Sequence, residues 1–164
     1  MDKSIENLKE AFAGESQANR RYLAFAEKAE QEGYSQIARL FRAAAAAETV
    51  HAHNHLKVLK GVKSTAENLQ EAVAGETSEF REMYPRMIAA AQAEGNKEAE
   101  RTFNFANEVE KIHAALFQKA LKNLADKKTM DIYVCSVCGY TVEGEAPDNC
   151  PVCKAVKKFF KRVD

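Results

Sequence analysis

Apolar residues return every three or four positions over four long stretches, about residues 3–32, 35–60, 65–94 and 97–125, separated by Gly33-Tyr34, Gly61 and Gly95-Asn96. The spacing predicts four helices. Connections this short make neighbouring helices antiparallel, so the expected arrangement is up-down or a variant with one long crossover. Ser64 or Thr65 followed by Glu67 marks the start of the third helix. Pro85 falls inside that helix and predicts a kink or local bulge, because proline removes a backbone donor and crowds the preceding turn. After Asp126-Lys127-Lys128 the helical period stops: Ile132-Tyr133-Val134 reads as a short strand, and Gly139, Gly144, Pro147 and Pro151 as turns. The division is therefore a helical domain over residues 1–128 and a small module over 129–164, which is too short to build a sufficient core without a staple.

The helical part repeats itself. AFAGES at 11–16 matches AVAGET at 72–77 with an offset of 61, whereas Glu32-Gly33 matches Glu94-Gly95, and Glu48-x-x-His51 matches Glu110-x-x-His113, with an offset of 62. Two helical hairpins related by duplication account for this, with a one-residue slip between Glu76 and Glu94, the segment that contains Pro85.

Reading inward positions at 3–4 spacing brings out candidate chemistry. The first helix presents Ile5, Leu8, Phe12, Glu15, Asn19, Tyr22, Ala26 and Ala29; the second Ile37, Phe41, Ala44, Glu48, His51, His55, Val58 and Val62. The third presents Leu69, Val73, Glu76, Phe80, Met83 and Met87, and the fourth Phe103, Ala106, Glu110, His113, Phe117, Ala120 and Leu124. Each apolar stripe carries a glutamate. Gathered in one core, four carboxylates would cost several kcal/mol apiece and repel one another, on the order of the penalties known for buried unpaired charge. No lysine or arginine shares the stripes, so the expected compensation is a dinuclear metal centre. A lone Glu from each of two helices (Glu15, Glu76) plus Glu-x-x-His from each of the others (Glu48/His51, Glu110/His113) is the ligand set of ferritin-like di-iron and di-manganese proteins. The i, i+3 spacing projects both donors from one helical face.

Three of the four histidines crowd into ETVHAHNH at 48–55. His51 is the expected ligand. His53 lies about 200° round the helix from it and should face solvent. His55 returns to the stripe one turn on, as a core histidine or a support for the ligands. Glu79, three residues after Glu76, is either a seventh ligand or an exposed glutamate.

All four cysteines lie in two C-x-x-C pairs, Cys135/Cys138 and Cys150/Cys153, which suggests one tetrahedral metal; four thiolates suit zinc as a structural clip or iron as a one-electron site. The chain has 164 residues, 46% of them apolar, and a formal net charge of zero, so nucleic acid and anionic membranes are not expected partners. No apolar run reaches the about 18 residues of a membrane span and no export signal leads the chain, which predicts a soluble cytoplasmic protein.

GES at 14–16, ETVH at 48–51, GETSEF with MYP at 75–85, EKIH at 110–113 and CSVCGY with CPVC together resemble the rubrerythrin family over essentially the whole chain. The resemblance implies a mainly α fold: a ferritin-like four-helix bundle followed by a small rubredoxin-like metal-bound β module. It places di-iron ligands at Glu15, Glu48, His51, Glu76, Glu79, Glu110 and His113, and a mononuclear iron (or zinc) at Cys135, Cys138, Cys150 and Cys153. In the family one iron exchanges a carboxylate for a histidine on reduction, which maps to Glu79 and His51. The implied activity is reduction of hydrogen peroxide to water, with electrons from an external rubredoxin or NAD(P)H-dependent reductase passing through the cysteine site. Tyr22 and Tyr84 are candidate hydrogen-bond donors to ligand carboxylates, or packing aromatics. A short linker suggests a homodimer with delivery between subunits. Other readings are a ferroxidase or iron-handling ferritin relative, and a non-catalytic, metal-stabilised interaction protein. One departure from the family pattern stands after the last cysteine, where Lys154 replaces the usual glycine; lysine disfavours positive φ, so an altered second knuckle is expected.

Overall fold

The computed structural model describes residues 2–164, which divide into two compact units, 2–63 and Ser64–Asp164. The chain is mainly α, with four helical stretches followed by a small antiparallel sheet. Among the described residues no helix is long and apolar enough to cross a membrane.

The first unit is a hairpin of α1 (Lys3–Gln31) and α2 (Ser35–Val58). The Asp2 side chain caps α1 by accepting from the Ser4 N–H, and Gly33 takes φ +83 at the turn, a conformation that favours a residue without Cβ. The helices meet along Ala38, Ala45 and Ala52, spaced by seven and buried, with Ala26 and Ala29 buried on α1. Small side chains there let the backbones approach, and the Asn19 amide donates across the gap to the Ala45 carbonyl (2.7 Å) and the Thr49 hydroxyl (2.8 Å). The alanine-rich run before the histidines is thus a packing surface. It lies one position round from the expected inward stripe, of which Ile37, Val58 and Val62 are exposed.

The second unit begins at α3 (Thr65–Ser78), where Ser64 and Glu67 form the expected capping box. The third helical stretch is continuous with a π turn, Glu79–Met83, and α4 (Tyr84–Glu94); α5 (Lys97–Lys122) follows after Gly95 at φ +69. The bulge expected from Pro85 is this π turn, which ends just before Tyr84-Pro85. A π turn inserts one residue into an α-helix, so it explains the change in repeat offset from 61 to 62.

Strands β1 (Ile132–Cys135), β2 (Thr141–Glu143) and β3 (Phe160–Val163) form an antiparallel sheet in the order β2-β1-β3, with Tyr133 opposite Val142 and Arg162. Cys135 and Cys150 are buried at its heart. Residues 123–131 reach about 30 Å when extended, and the sheet packs on α5 of its own unit. Gly139 lies against Val109, the Thr141 hydroxyl meets His113, and the Lys119 ammonium pairs with the Glu143 carboxylate.

Candidate metal centres

Each unit carries one three-donor group. In the first, Nδ1 of His51 lies 2.8 Å from Oε2 of Glu48 and 3.8 Å from Oε1 of Glu15. In the second, Nδ1 of His113 lies 2.8 Å from Oε2 of Glu110 and 3.8 Å from Oε2 of Glu76. Donor atoms within each group all fall inside 4.8 Å. The duplication read from the sequence is therefore a duplication of ligand geometry, and it extends to the surroundings. Tyr22 packs on Phe41 as Tyr84 packs on Phe103, with centroids 6.2 and 6.3 Å apart. The hydroxyls of Ser16 and Thr77 both bond back to the carbonyl one turn earlier, at 2.6 Å.

The stripes hold half-buried carboxylates where fully buried ones were expected; among the described residues no charged side chain is fully buried. Burial is still enough to matter. It pushes the Glu76 carboxyl above the ordinary carboxylate range, helped by the facing Glu110 and opposed by His113. Glu79 stands outside the three-donor group, half-buried at the start of the π turn, and its carboxyl is also raised, by burial first and then by the charge of Glu76. Tyr84 feels the same cluster: burial raises its hydroxyl, and Glu110, Glu79 and Glu76 raise it further. Carboxylates that share a half-buried space with a histidine nitrogen turned toward them suit a divalent cation, which would relieve both the repulsion and the burial cost.

The remaining sequence-derived residues divide by exposure. His53 is exposed, as its position predicts, and His55 is half-buried. The side chain of His51 is 53% exposed, that of His113 only 26%. Tyr22 belongs to an aromatic cluster with Phe25 and Phe41, and Tyr84 faces the carboxylates of its own unit.

The four cysteines are free thiols, with Sγ separations of 3.7 Å for Cys135 to Cys153 and 3.5 Å for Cys138 to Cys150. Those spacings exceed a disulfide and approach the edge of a tetrahedron with metal–sulfur bonds of about 2.3 Å, which is about 3.8 Å. Burial pushes the Cys138 thiol well up and the Cys153 thiol up, whereas at Cys150 burial is outweighed by the backbone N–H groups of Cys153 and Val152 together with the Cys138 and Cys153 thiols, which hold its thiol down. A metal ion is what would let all four carry charge together. The altered knuckle expected at Lys154 is not found. Lys154 takes φ +65 and its N–H donates to the Cys150 carbonyl at 3.0 Å, matching Gly139 at φ +84, whose N–H donates to the Cys135 carbonyl at 2.8 Å. The loop geometry that presents the thiolates overrides the preference of lysine.

Sequence reasoning missed Thr141. Its hydroxyl lies 2.9 Å from Nε2 of His113 and donates to the Gly139 carbonyl at 3.0 Å. A threonine in a strand gives no signal of a partner on a helix 28 residues earlier.

Paired Glu-x-x-His helices with lone glutamates, followed by a four-thiolate module, define the class of ferritin-like carboxylate proteins that carry a rubredoxin-like domain. The chain belongs to the rubrerythrin family: the family model described as Rubrerythrin matches residues 6–121, and that of the rubrerythrin rubredoxin-like domain matches residues 133–161. It is 42% identical to Rubrerythrin-2 of Clostridium acetobutylicum, covering 94% of this chain and 93% of that protein. To Nigerythrin of Nitratidesulfovibrio vulgaris it is 36% identical, covering 96% and 85%. Among solved structures, partially reduced nigerythrin aligns with a TM-score of 0.61 at 35% identity over 99% of this chain and 88% of that one; an all-ferrous state of nigerythrin aligns equally well, also at 0.61. The family is one of oxidoreductases, and its cofactors are a dinuclear iron centre and an iron held by four cysteines.

Proposed function

We propose that this protein is a non-haem di-iron peroxidase that reduces hydrogen peroxide to water with electrons relayed through its rubredoxin-like module. In functional terms the chain divides into residues 1–128, which serve the dinuclear centre, and 129–164, which serve the relay. The dinuclear ligands are Glu15, Glu48, His51, Glu76, Glu79, Glu110 and His113, and the mononuclear ligands Cys135, Cys138, Cys150 and Cys153. The observation that carries the reading is the pair of equivalent Glu2His groups, to which the π turn adds the extra carboxylate of Glu79 on one side only.

Bound iron supplies the electrons; the protein's residues set what reacts. Carboxylates from four helical stretches tolerate a change in metal charge because they can shift between binding modes. Glu79, apart from its three-donor group, and His51, the more exposed histidine, are the donors free to exchange. Tyr84, beside Glu76, Glu79 and Glu110, is the hydroxyl in position to hold a ligand carboxylate by a hydrogen bond. Tyr22 has the equivalent place in the first unit. Overall, one peroxide, two electrons and two protons give two waters. The electrons come from a rubredoxin or an NAD(P)H-dependent reductase, and the active assembly is a homodimer.

Anaerobic purification with metal analysis, followed by stopped-flow oxidation of the reduced protein, tests this reading. Two bundle irons and one module iron per chain are expected, with oxidation by peroxide faster than by dioxygen. Faster reaction with dioxygen and accumulation of ferric mineral would instead make the protein a ferroxidase; no reaction with either would make it a metal-stabilised interaction protein.

A further inference from the structure

We propose that Thr141 is a positioning residue that links the four-cysteine site to the dinuclear ligand His113 of the same chain by a directed pair of hydrogen bonds. The proposal rests on the module being an electron relay, and it specifies where electrons enter the bundle.

The direction of the bonds follows from what each group can donate. Nδ1 of His113 faces the carboxylates of Glu110 and Glu76, so it must offer its lone pair there when a metal binds, and the ring proton is then on Nε2. Nε2–H therefore donates to Oγ1 of Thr141, and the Thr141 hydroxyl donates onward to the Gly139 carbonyl. Gly139 is bonded directly to Cys138. Between a thiolate ligand and an imidazole ligand there are thus only the covalent frames of Cys138, Gly139 and Thr141 and two hydrogen bonds, of 2.9 and 3.0 Å.

The contact is built into the packing. Val109 and His113 lie one turn apart on α5 and meet Gly139 and Thr141, two residues apart on the module, while the Lys119–Glu143 pair holds the same strand further along. Val109, Cys135 and Cys150 are all buried. His51 differs: its side chain is twice as exposed as that of His113. Electrons from the chain's own module therefore enter at His113, the histidine of the same unit.

With iron held by the four cysteines and by the dinuclear ligands, each transfer would oxidise one ferrous ion at the cysteine site and reduce one ferric ion at the dinuclear site. Two transfers match the two electrons taken up by one peroxide, and an external one-electron donor refills the thiolate site. No covalent bond changes along the bridge, and its protons stay on His113 and Thr141.

The test uses the full-length protein as wild type, Thr141→Val and Thr141→Ser. In the fully ferric protein a photochemically generated one-electron donor reduces the module iron, and its reoxidation is followed at the thiolate-to-iron charge-transfer band; peroxide is absent, so failure here is separate from failure of the peroxidase reading. Thr141→Val should slow reoxidation at least about tenfold while Thr141→Ser stays within about twofold of wild type, in keeping with the usual cost of losing a support to a metal ligand. The rate should not depend on protein concentration. In zinc-loaded, isotope-labelled protein, long-range proton–nitrogen spectra should show the His113 Nε2 proton protected from exchange in wild type and Thr141→Ser, and exchanging freely in Thr141→Val, while backbone spectra verify that the variant is folded. Unchanged reoxidation in Thr141→Val, an unaltered Nε2 proton signal, or a rate that rises with protein concentration would each overturn the proposal.

Discussion

Among single residues, Lys154 and the Glu76/Glu79 pair hold conformations or charges that cost free energy in the metal-free chain. Lys154 sits at φ +65, a region disfavoured for a residue with Cβ by about 1–2 kcal/mol. Lys154→Gly relieves that strain and gives back part of it as lost unfolded-state restriction, so stabilisation of the module by about 0.5–1 kcal/mol is expected in chemical denaturation. The Lys154 ammonium also donates to the Pro151 carbonyl at 2.8 Å, an exposed contact whose loss subtracts little. Glu76 and Glu79 work through protons. Their folded-state pKa values lie above the unfolded value, so the folded protein binds more protons than the unfolded one in the interval between. Stability from this source is complete below the ordinary glutamate value and is lost as pH rises through the raised values. Melting of metal-free protein should therefore show a gain in Tm as pH falls from about 7 toward about 5, and Glu76→Gln with Glu79→Gln should flatten that gain. Loaded protein should show the opposite slope, because protons compete with metal for the same oxygens.

Among the elements, the α1/α2 contact and the π turn determine how ligands are presented. Ala45 is 1% exposed, and its carbonyl accepts from Asn19. Ala45→Leu should overpack the contact and destabilise the protein by about 1–3 kcal/mol, measured by urea unfolding. The reverse substitution at the exposed Leu40, Leu40→Ala, should change stability by no more than about 0.5 kcal/mol. Glu-x-x-His at i, i+3 declares its own geometry, and the one-residue slip near Pro85 is the π turn seen from the sequence. The alanine line was not legible, because alanines at 43–47 fit any helical face equally well and only the partner helix decides which of them is buried. Periodicity located the ligand stripe and missed the neighbouring stripe that holds the hairpin together.

In the molecule as a whole, the functional link is one that chain order conceals. The module follows the last helix, yet its β2 strand returns to the middle of that helix, where Thr141 meets His113. Nothing in the periodicity of either segment encodes a contact between them. The four cysteines, by contrast, were legible from spacing alone, since a tetrahedral thiolate site needs two two-residue loops. Their Sγ spacings of 3.5 and 3.7 Å fit zinc and iron alike, so the distinction between clip and relay is one of function. The measurement that bears on it most directly is peroxide turnover by protein carrying zinc in the cysteine site and iron in the bundle. Zinc preserves the fold and has no second oxidation state to pass electrons. A prereduced dinuclear centre should then consume one peroxide at the native rate, while steady turnover with a reductase and reduced nicotinamide falls to background. Native steady turnover in the zinc form would contradict the account, since electrons would then be reaching the bundle without the module.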